Sequence, residues 1–475
     1  MKRLLFFILV ALTLSSTADA KKKVKGPVNL VNTPRDMAIQ FAKSELKRFP
    51  HLYLYDYGRV PFFGYTQGVG GTSYLYLYRK TGDRRYFQYA EEWCDTLCMD
   101  DGTIQKRSME TYNLDLIRGG WVVCEVYNLI KENPGLVGGK EIAEKKLEKY
   151  KKCMEMQLIK QLKNHPKTCD GGYWHKLVYP HQMWLDGIYM ASPFMAIYGQ
   201  TFNHPEWQAE ALQQVITCWH HTYDARTGLL HHAWDESASQ RWSDAEGHSP
   251  NFWGRSVGWY LMAMVDILDY IPEGFTSQFN CGRKDTIQIS GRDTLISYIN
   301  QLVDALPQYQ HGGLWYQVLD CPDKAGNWPE ATVTVQFMYA IAKAVNKGYL
   351  PADRIKIAWD AYNGLQQTVF TDCRKVNAEG KVIGDERDPM TYEYGPQHTM
   401  VVRLADGTFS LTQCCAVGGL GGNKYRDGSF EYYIGERVRD NDGKGSGIFI
   451  MGCWELDDSM EWECGIVPIE ELSFK

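Results

Sequence analysis

Apolar positions recur along this chain at helical spacing, in blocks separated by short breaks that contain Gly, Pro or Asn. Tyr74 to Tyr78 leads into Lys80-Thr81-Gly82-Asp83, and the helical pattern resumes from Tyr86 to Leu97. The arrangement returns from Tyr189 to Tyr198, breaks at Asn203-His204-Pro205 and resumes from Trp207 to His220. It returns again from Thr332 to Val345, breaks between Gly348 and Pro351, and continues from Ala352 to Val369. Each unit reads as a helix, a tight turn and a second helix.

A decorated loop marks the ends of these pairs. Gly171-Gly172-Tyr173-Trp174-His175, the stretch Thr227 to Asp235, and the stretch Gly312 to Asp320 share one form: glycine, then a short apolar and aromatic segment carrying polar groups. Self-similar helix pairs with a recurring loop predict an all-α repeat architecture. Its closed form is a toroid of helical hairpins around a central cavity, with the decorated loops at one end. The aperiodic, Ser/Gly/Asn/Asp-rich stretch Phe275 to Arg292 predicts a loop insertion, and Asp372 to Gln397 is also polar and irregular. No linker divides the chain into two domains.

The first residues change the picture of where the protein works. Met1-Lys2-Arg3, an apolar run from Leu4 to Leu14 and Ala18-Asp19-Ala20 read as a secretory signal peptide over 1–20. That predicts a single domain over 21–475, exported, with the bacterial periplasm as its expected location and no membrane anchor. A net charge of −6 argues against a nucleic-acid partner. The 13 cysteines follow no framework spacing and lack the C-x-x-C and His partners of a zinc site, so they read as buried small hydrophobes.

Four segments could carry chemistry. In His181-Gln182-Met183-Trp184-Leu185-Asp186-Gly187-Ile188-Tyr189-Met190, one carboxylate stands among Trp, Tyr and Met before an apolar helix, with His175 and Lys176 just upstream. An apolar pocket disfavours the charged carboxylate and predicts a raised pKa for Asp186, as a proton donor at neutral pH requires. Asp115, in Asn113-Leu114-Asp115-Leu116-Ile117-Arg118, opens a helix and is either a second working carboxylate or a cap. His232 sits on one of the recurring loops. In Phe252-Trp253-Gly254-Arg255-Ser256-Val257-Gly258-Trp259, two indoles flank a guanidinium, which suits a sugar bearing a carboxylate. Nucleophile-elbow, phosphate-loop and zinc-helix signatures are missing.

These segments, in this order, resemble the unsaturated rhamnogalacturonyl hydrolases of glycoside hydrolase family 105. The resemblance extends to Gly313 to Asp320, Gly419-Leu420-Gly421-Gly422 and Tyr425-Arg426-Asp427-Gly428-Ser429, and covers about Tyr65 to Leu456. It implies an (α/α)6 barrel and, as ligand, an oligosaccharide ending in a Δ4,5-unsaturated uronic acid. By motif it implies Asp186 as general acid and base and Asp115 as a second essential carboxylate. It places Tyr65, His175, Lys176, Met190, His232, Trp253, Arg255 and Trp259 around the substrate, with no metal and no cofactor. The implied chemistry is hydration of an enol ether, with Asp115 expected to hold the Asp186 pKa up by like-charge repulsion. Other toroid enzymes (an inverting glycosidase, an epimerase or a lyase) and a non-catalytic glycan-binding protein are the alternatives.

Overall fold

The structure, a computed structural model, describes residues 24–25, 33–280 and 286–461. The leader expected over 1–20 lies outside the described residues. Twelve long helices dominate: α1 (Pro34–Arg48), α2 (Tyr65–Thr81), α3 (Arg84–Leu97), α4 (Gly119–Glu132), α5 (Lys140–Cys153), α6 (Leu185–Phe202), α7 (Pro205–Thr222), α8 (Gly254–Ile267), α9 (Gly291–Ala305), α10 (Ala331–Asn346), α11 (Ile355–Gln367) and α12 (Gly443–Asp458).

Two kinds of helix alternate, and their residues say why. In α8 every residue from Gly254 to Ile267 is buried, and α10 is buried from Ala331 to Ala344. Such all-round apolar helices must be enclosed on every side. By contrast, α3 buries one stripe (Tyr86, Phe87, Tyr89, Ala90, Trp93, Cys94, Leu97) and shows its other face to water. The enclosed helices pack in a closed ring, α2–α4–α6–α8–α10–α12 and back to α2, and the amphipathic ones form an outer ring against them. This is the (α/α)6 barrel. The helix pairs read from periodicity are α2/α3, α6/α7 and α10/α11.

Each recurring loop turns on a glycine in the left-handed region: Gly171 (φ 92°), Gly228 (φ 72°) and Gly313 (φ 82°). Gly313 has a second constraint, because a Cβ there would stand 2.1 Å from the Asp360 carbonyl oxygen in α11. Gly313→Ala is therefore expected to cost about 3 kcal/mol of stability, combining backbone strain with a forced shift of α11. A thermal melt showing an unchanged midpoint would contradict this.

One expectation is corrected. The stretch Phe275 to Arg292 is not an irregular loop: Thr276–Asn280 and Thr286–Ser290 pair antiparallel as a hairpin, and Gly291 already begins α9. Alternating Thr/Ser/Gln and Phe/Ile give strands with one polar face, a period that the surrounding Ser, Gly and Asn masks.

All six inner helices run in the same direction. At their C-terminal ends a cavity of about 760 Å³ opens, with Arg79, Glu132, Gln200, Asp269, Asn346 and Glu455 on its wall. Its acids are largely occupied: Arg79 pairs with Glu125 and Glu132, Lys343 and Lys347 with Asp269, and Lys80 with Asp458. Between the two ends lies buried Arg118, its guanidinium 4.6 Å from the Trp121 ring and 4.8 Å from that of Tyr189. The carboxylates singled out in the sequence lie at the opposite end, where the inner helices begin.

Candidate active site

The inner helices start at Tyr65, Gly119, Leu185, Gly254, Ala331 and Gly443, and the sequence-predicted site residues stand on or beside these starts. N-terminal helix ends carry partial positive charge and unsatisfied N–H groups, so the barrel mouth favours an anionic ligand before any side chain is counted.

Backbone pairing then brings the groups together. Strands Gln182–Trp184 and Ala233–Asp235 are antiparallel, and Leu185 N donates to His232 O at 3.0 Å. That sets Asp186, in the first turn of α6, beside His232: the latter's Nε2 lies 3.1 Å from Asp186 Oδ2. Both atoms are buried, and neither has any other hydrogen-bond partner among the described residues. On the other side, Leu114 N donates to His175 O at 3.1 Å, tying the Asp115 turn to the His175 loop. Lys176 Nζ consequently sits 2.5 Å from Asp115 Oδ2, with His175 Nε2 3.6 Å from Oδ1. Asp115 follows Asn113, whose side chain caps the short turn by accepting from Asp115 N at 2.9 Å. The cap is Asn113, which leaves the Asp115 carboxylate to its cation.

The electrostatics correct the expectation for Asp186. Burial pushes its carboxyl up, but His232, His175 and Arg255 hold it down, and the balance lies below the ordinary carboxylate value. The surroundings of this carboxyl are imidazole and guanidinium, where Trp184, Tyr189 and Met190 in the sequence suggest hydrocarbon. Asp115 is not the group that pushes on Asp186; its charge is spent on Lys176, whose pKa it raises against the lowering effect of burial. Burial also lowers both imidazoles, His175 to about 4, so they are neutral at neutral pH.

Arg255, at the start of α8, is buried, with Nη1 donating to Cys415 O and the guanidinium 4.6 Å from the Trp253 ring. Its Nε has no partner among the described residues. Tyr65 is partly buried at the start of α2, and Met190 is buried one turn after Asp186. Trp253 and Trp259 have no open face: Trp253 stacks against Tyr433 with centroids 5.8 Å apart, and Trp259 stacks on Tyr189 at 4.9 Å.

Sequence reading missed three residues that the fold brings in. Tyr433, fully buried, has its hydroxyl 2.7 Å from His232 Nδ1. A buried phenol needs an acceptor, so its proton goes to Nδ1 and the His232 proton sits on Nε2, facing Asp186. Glu330 caps α10 and accepts from the N–H groups of Thr332, Val333 and Cys415; burial pushes its carboxyl up while nearby Arg255 pulls it down. Arg426 lies on the late Gly-rich loop, close enough that its charge lowers the pKa of Lys176 and His232. Arg426 belongs to a quoted motif; Tyr433 and Glu330 carried no local signal.

An (α/α)6 barrel whose mouth gathers two carboxylates and a buried guanidinium fits a carbohydrate-active enzyme, and the family match makes the chain a glycoside hydrolase. It belongs to Glycosyl Hydrolase Family 88, which it matches over residues 37–395. It is similar to a family 105 glycoside hydrolase of C. acetobutylicum, at 32% identity and TM-score 0.69, over 88% of this chain and 98% of that one. It is also 32% identical to the 24.9 kDa protein in the picA locus of Rhizobium radiobacter, over 55% of this chain and 96% of that protein. The unsaturated rhamnogalacturonyl hydrolase YesR of Bacillus subtilis is 30% identical over 31% of this chain and 37% of its own length. Among the described residues no helix is long and apolar enough to cross a membrane.

Proposed function

We propose that this glycoside hydrolase removes a Δ4,5-unsaturated uronic acid from the non-reducing end of lyase-generated oligosaccharides, by hydration, after export. The export part rests on the leader-like first twenty residues. The substrate part rests on the family and on a relative, YesR, named for the same kind of activity. The observation that carries the mechanism is Asp186 paired with His232, with Tyr433 fixing the imidazole tautomer behind it.

The C4=C5 bond and the ring oxygen of such a sugar form an enol ether. Asp186 gives its proton to C4, and positive charge develops on C5 and the ring oxygen. The carboxylate left behind takes a proton from a water as that water adds to C5. The resulting hemiketal opens to a ketone at C5; the freed C1 hemiacetal then collapses to an aldehyde and releases the rest of the glycan. One group acts first as acid and then as base, so the carboxylate-separation rule for ordinary glycosidases does not govern this site.

Asp186 rests ionised in the free protein and needs a reason to pick up a proton. The substrate supplies it: a uronate carboxylate beside Arg255 offsets the charge that holds Asp186 down, and displaced water leaves burial to push the pKa up. The descending limb of kcat should therefore lie at higher pH than that of kcat/KM, since the first reports the complex and the second the free enzyme. Coincident limbs would contradict this account.

The test of the whole reading is ultraviolet absorbance of lyase-digested galacturonyl and glucuronyl glycans. Decay of the enol-ether band on adding enzyme supports hydration. A rise would indicate a lyase, and no change on either digest would remove the reading.

A further inference from the structure

On the hydration reading the terminal unsaturated ring lies at Asp186, so residues farther along the same wall would meet the sugar that leaves. Arg426 is partly buried, and among the described residues no carboxylate pairs with it. Its Nε donates to Gly421 O at 3.0 Å, and Nη2 donates to Tyr179 Oη at 2.8 Å and Leu420 O at 3.0 Å. The guanidinium stands 5.9 Å from the Tyr179 ring and 6.0 Å from the Trp184 ring. Those rings continue the stack onto His175, with Trp184 and His175 centroids 4.6 Å apart. Arg426 thus extends the aromatic wall that ends at His175, and it is half-buried on a loop where His175 and Trp184 are buried.

Its neighbours add donors without acceptors. Trp242, 4% exposed, packs with Trp184 and Leu420, and its Nε1 has no partner among the described residues. That indole N–H would stand 3.9 Å from a Cβ at Gly421, on the same loop that Arg426 holds. The Tyr425 hydroxyl is also buried without a partner among the described residues, and Arg241 lies 4.4 Å from the Tyr425 ring. A guanidinium with no counter-ion and an unpaired indole N–H beside an aromatic wall call for a ligand rich in acceptors and negative charge.

Resting on the hydration reading, we infer that Arg426 and its loop form a leaving-sugar subsite that selects a second sugar carrying an anionic group, a carboxylate or a sulfate ester. Arg255 meets the uronate of the terminal ring; Arg426 meets the charge on the next one. The simpler role for Arg426, stapling the loop through its carbonyl contacts, would affect every substrate alike.

The experiment uses three disaccharides sharing one unsaturated uronyl ring, with a second sugar that is neutral, carries a carboxylate or carries a sulfate ester. The wild-type enzyme should favour at least one anionic substrate about tenfold in kcat/KM, mainly through KM, as a charge-assisted contact gives. The carboxylate and sulfate arms distinguish the two sources of charge. Arg426→Gln should abolish that preference, and Arg426→Lys, which keeps the charge without the fork, should retain part of it. Equal kcat/KM for all three with wild type would overturn the proposal, as would an Arg426→Gln loss of the same size on each. Calorimetric titration of the three sugars onto the Asp186→Asn protein separates the two readings. If no substrate is turned over, hydration fails, yet the anion preference is still measured, and its absence there also overturns the subsite.

Discussion

Asp186→Asn should lower kcat on an unsaturated uronyl oligosaccharide about 10⁴-fold while leaving the substrate bound. A positioned acid or base contributes about 10²–10⁴ in rate, and here one group serves in both proton transfers, so the upper end applies. The amide keeps the volume and an acceptor for His232 but can neither protonate C4 nor take a proton from water. Substrate affinity should persist because Arg255 and Lys176 remain. Asp115→Asn should cost less, about 10²-fold, since Asp115 acts through Lys176, 2.5 Å away, and transfers no proton in the scheme. The measurement is decay of the enol-ether absorbance under saturating substrate, with a thermal melt and a calorimetric titration of each variant. An Asp186→Asn enzyme within tenfold of wild type would remove this residue from the chemistry, and an Asp115→Asn loss matching that of Asp186→Asn would require a proton-transfer role for both.

The hairpin repeat was legible because enclosed and amphipathic helices differ in pattern, and because glycine in the left-handed region recurs at each loop. The last helix, α12, was not. Its opening Gly443-Lys444-Gly445-Ser446-Gly447 reads as a loop by propensity, since each glycine weakens a helix. Close packing explains those glycines: a Cβ at Gly447 would stand 2.6 Å from Ser73 Oγ, and one at Gly443 2.7 Å from the Tyr55 ring. Tertiary contact decides there, and no window of the sequence contains both partners.

The site divides along the same line. Asp186, His175 and Lys176 are close in sequence, so their shared motif was visible. The partners that set their protonation are distant: Tyr433 reaches His232 across 201 positions. The expected direction of the Asp186 pKa failed for that reason. Neighbours in sequence suggested hydrocarbon around the carboxyl, whereas the fold supplies His232 and Arg255. A residue's type can be read from its own motif; its charge state depends on what the topology sets against it.

His232→Ala follows from that dependence and should show two effects with separate causes. Without the imidazole, burial is the main influence left on Asp186, so its pKa rises and the descending limb of kcat/KM moves to higher pH. The plateau rate should nevertheless fall by about 10²–10³-fold, because the carboxylate that must receive the water's proton loses the N–H that orients it. Tyr433→Phe should move the limb in the same direction by a smaller amount, since Nδ1 loses its donor 2.7 Å away and the Nε2–H tautomer is no longer fixed. Paired pH profiles of the wild type and the two variants check this. A downward shift in either variant would mean that His232 does not hold Asp186 down. A rate loss with no shift would make the imidazole a packing residue, and the low resting pKa of Asp186 would then be the work of His175 and Arg255.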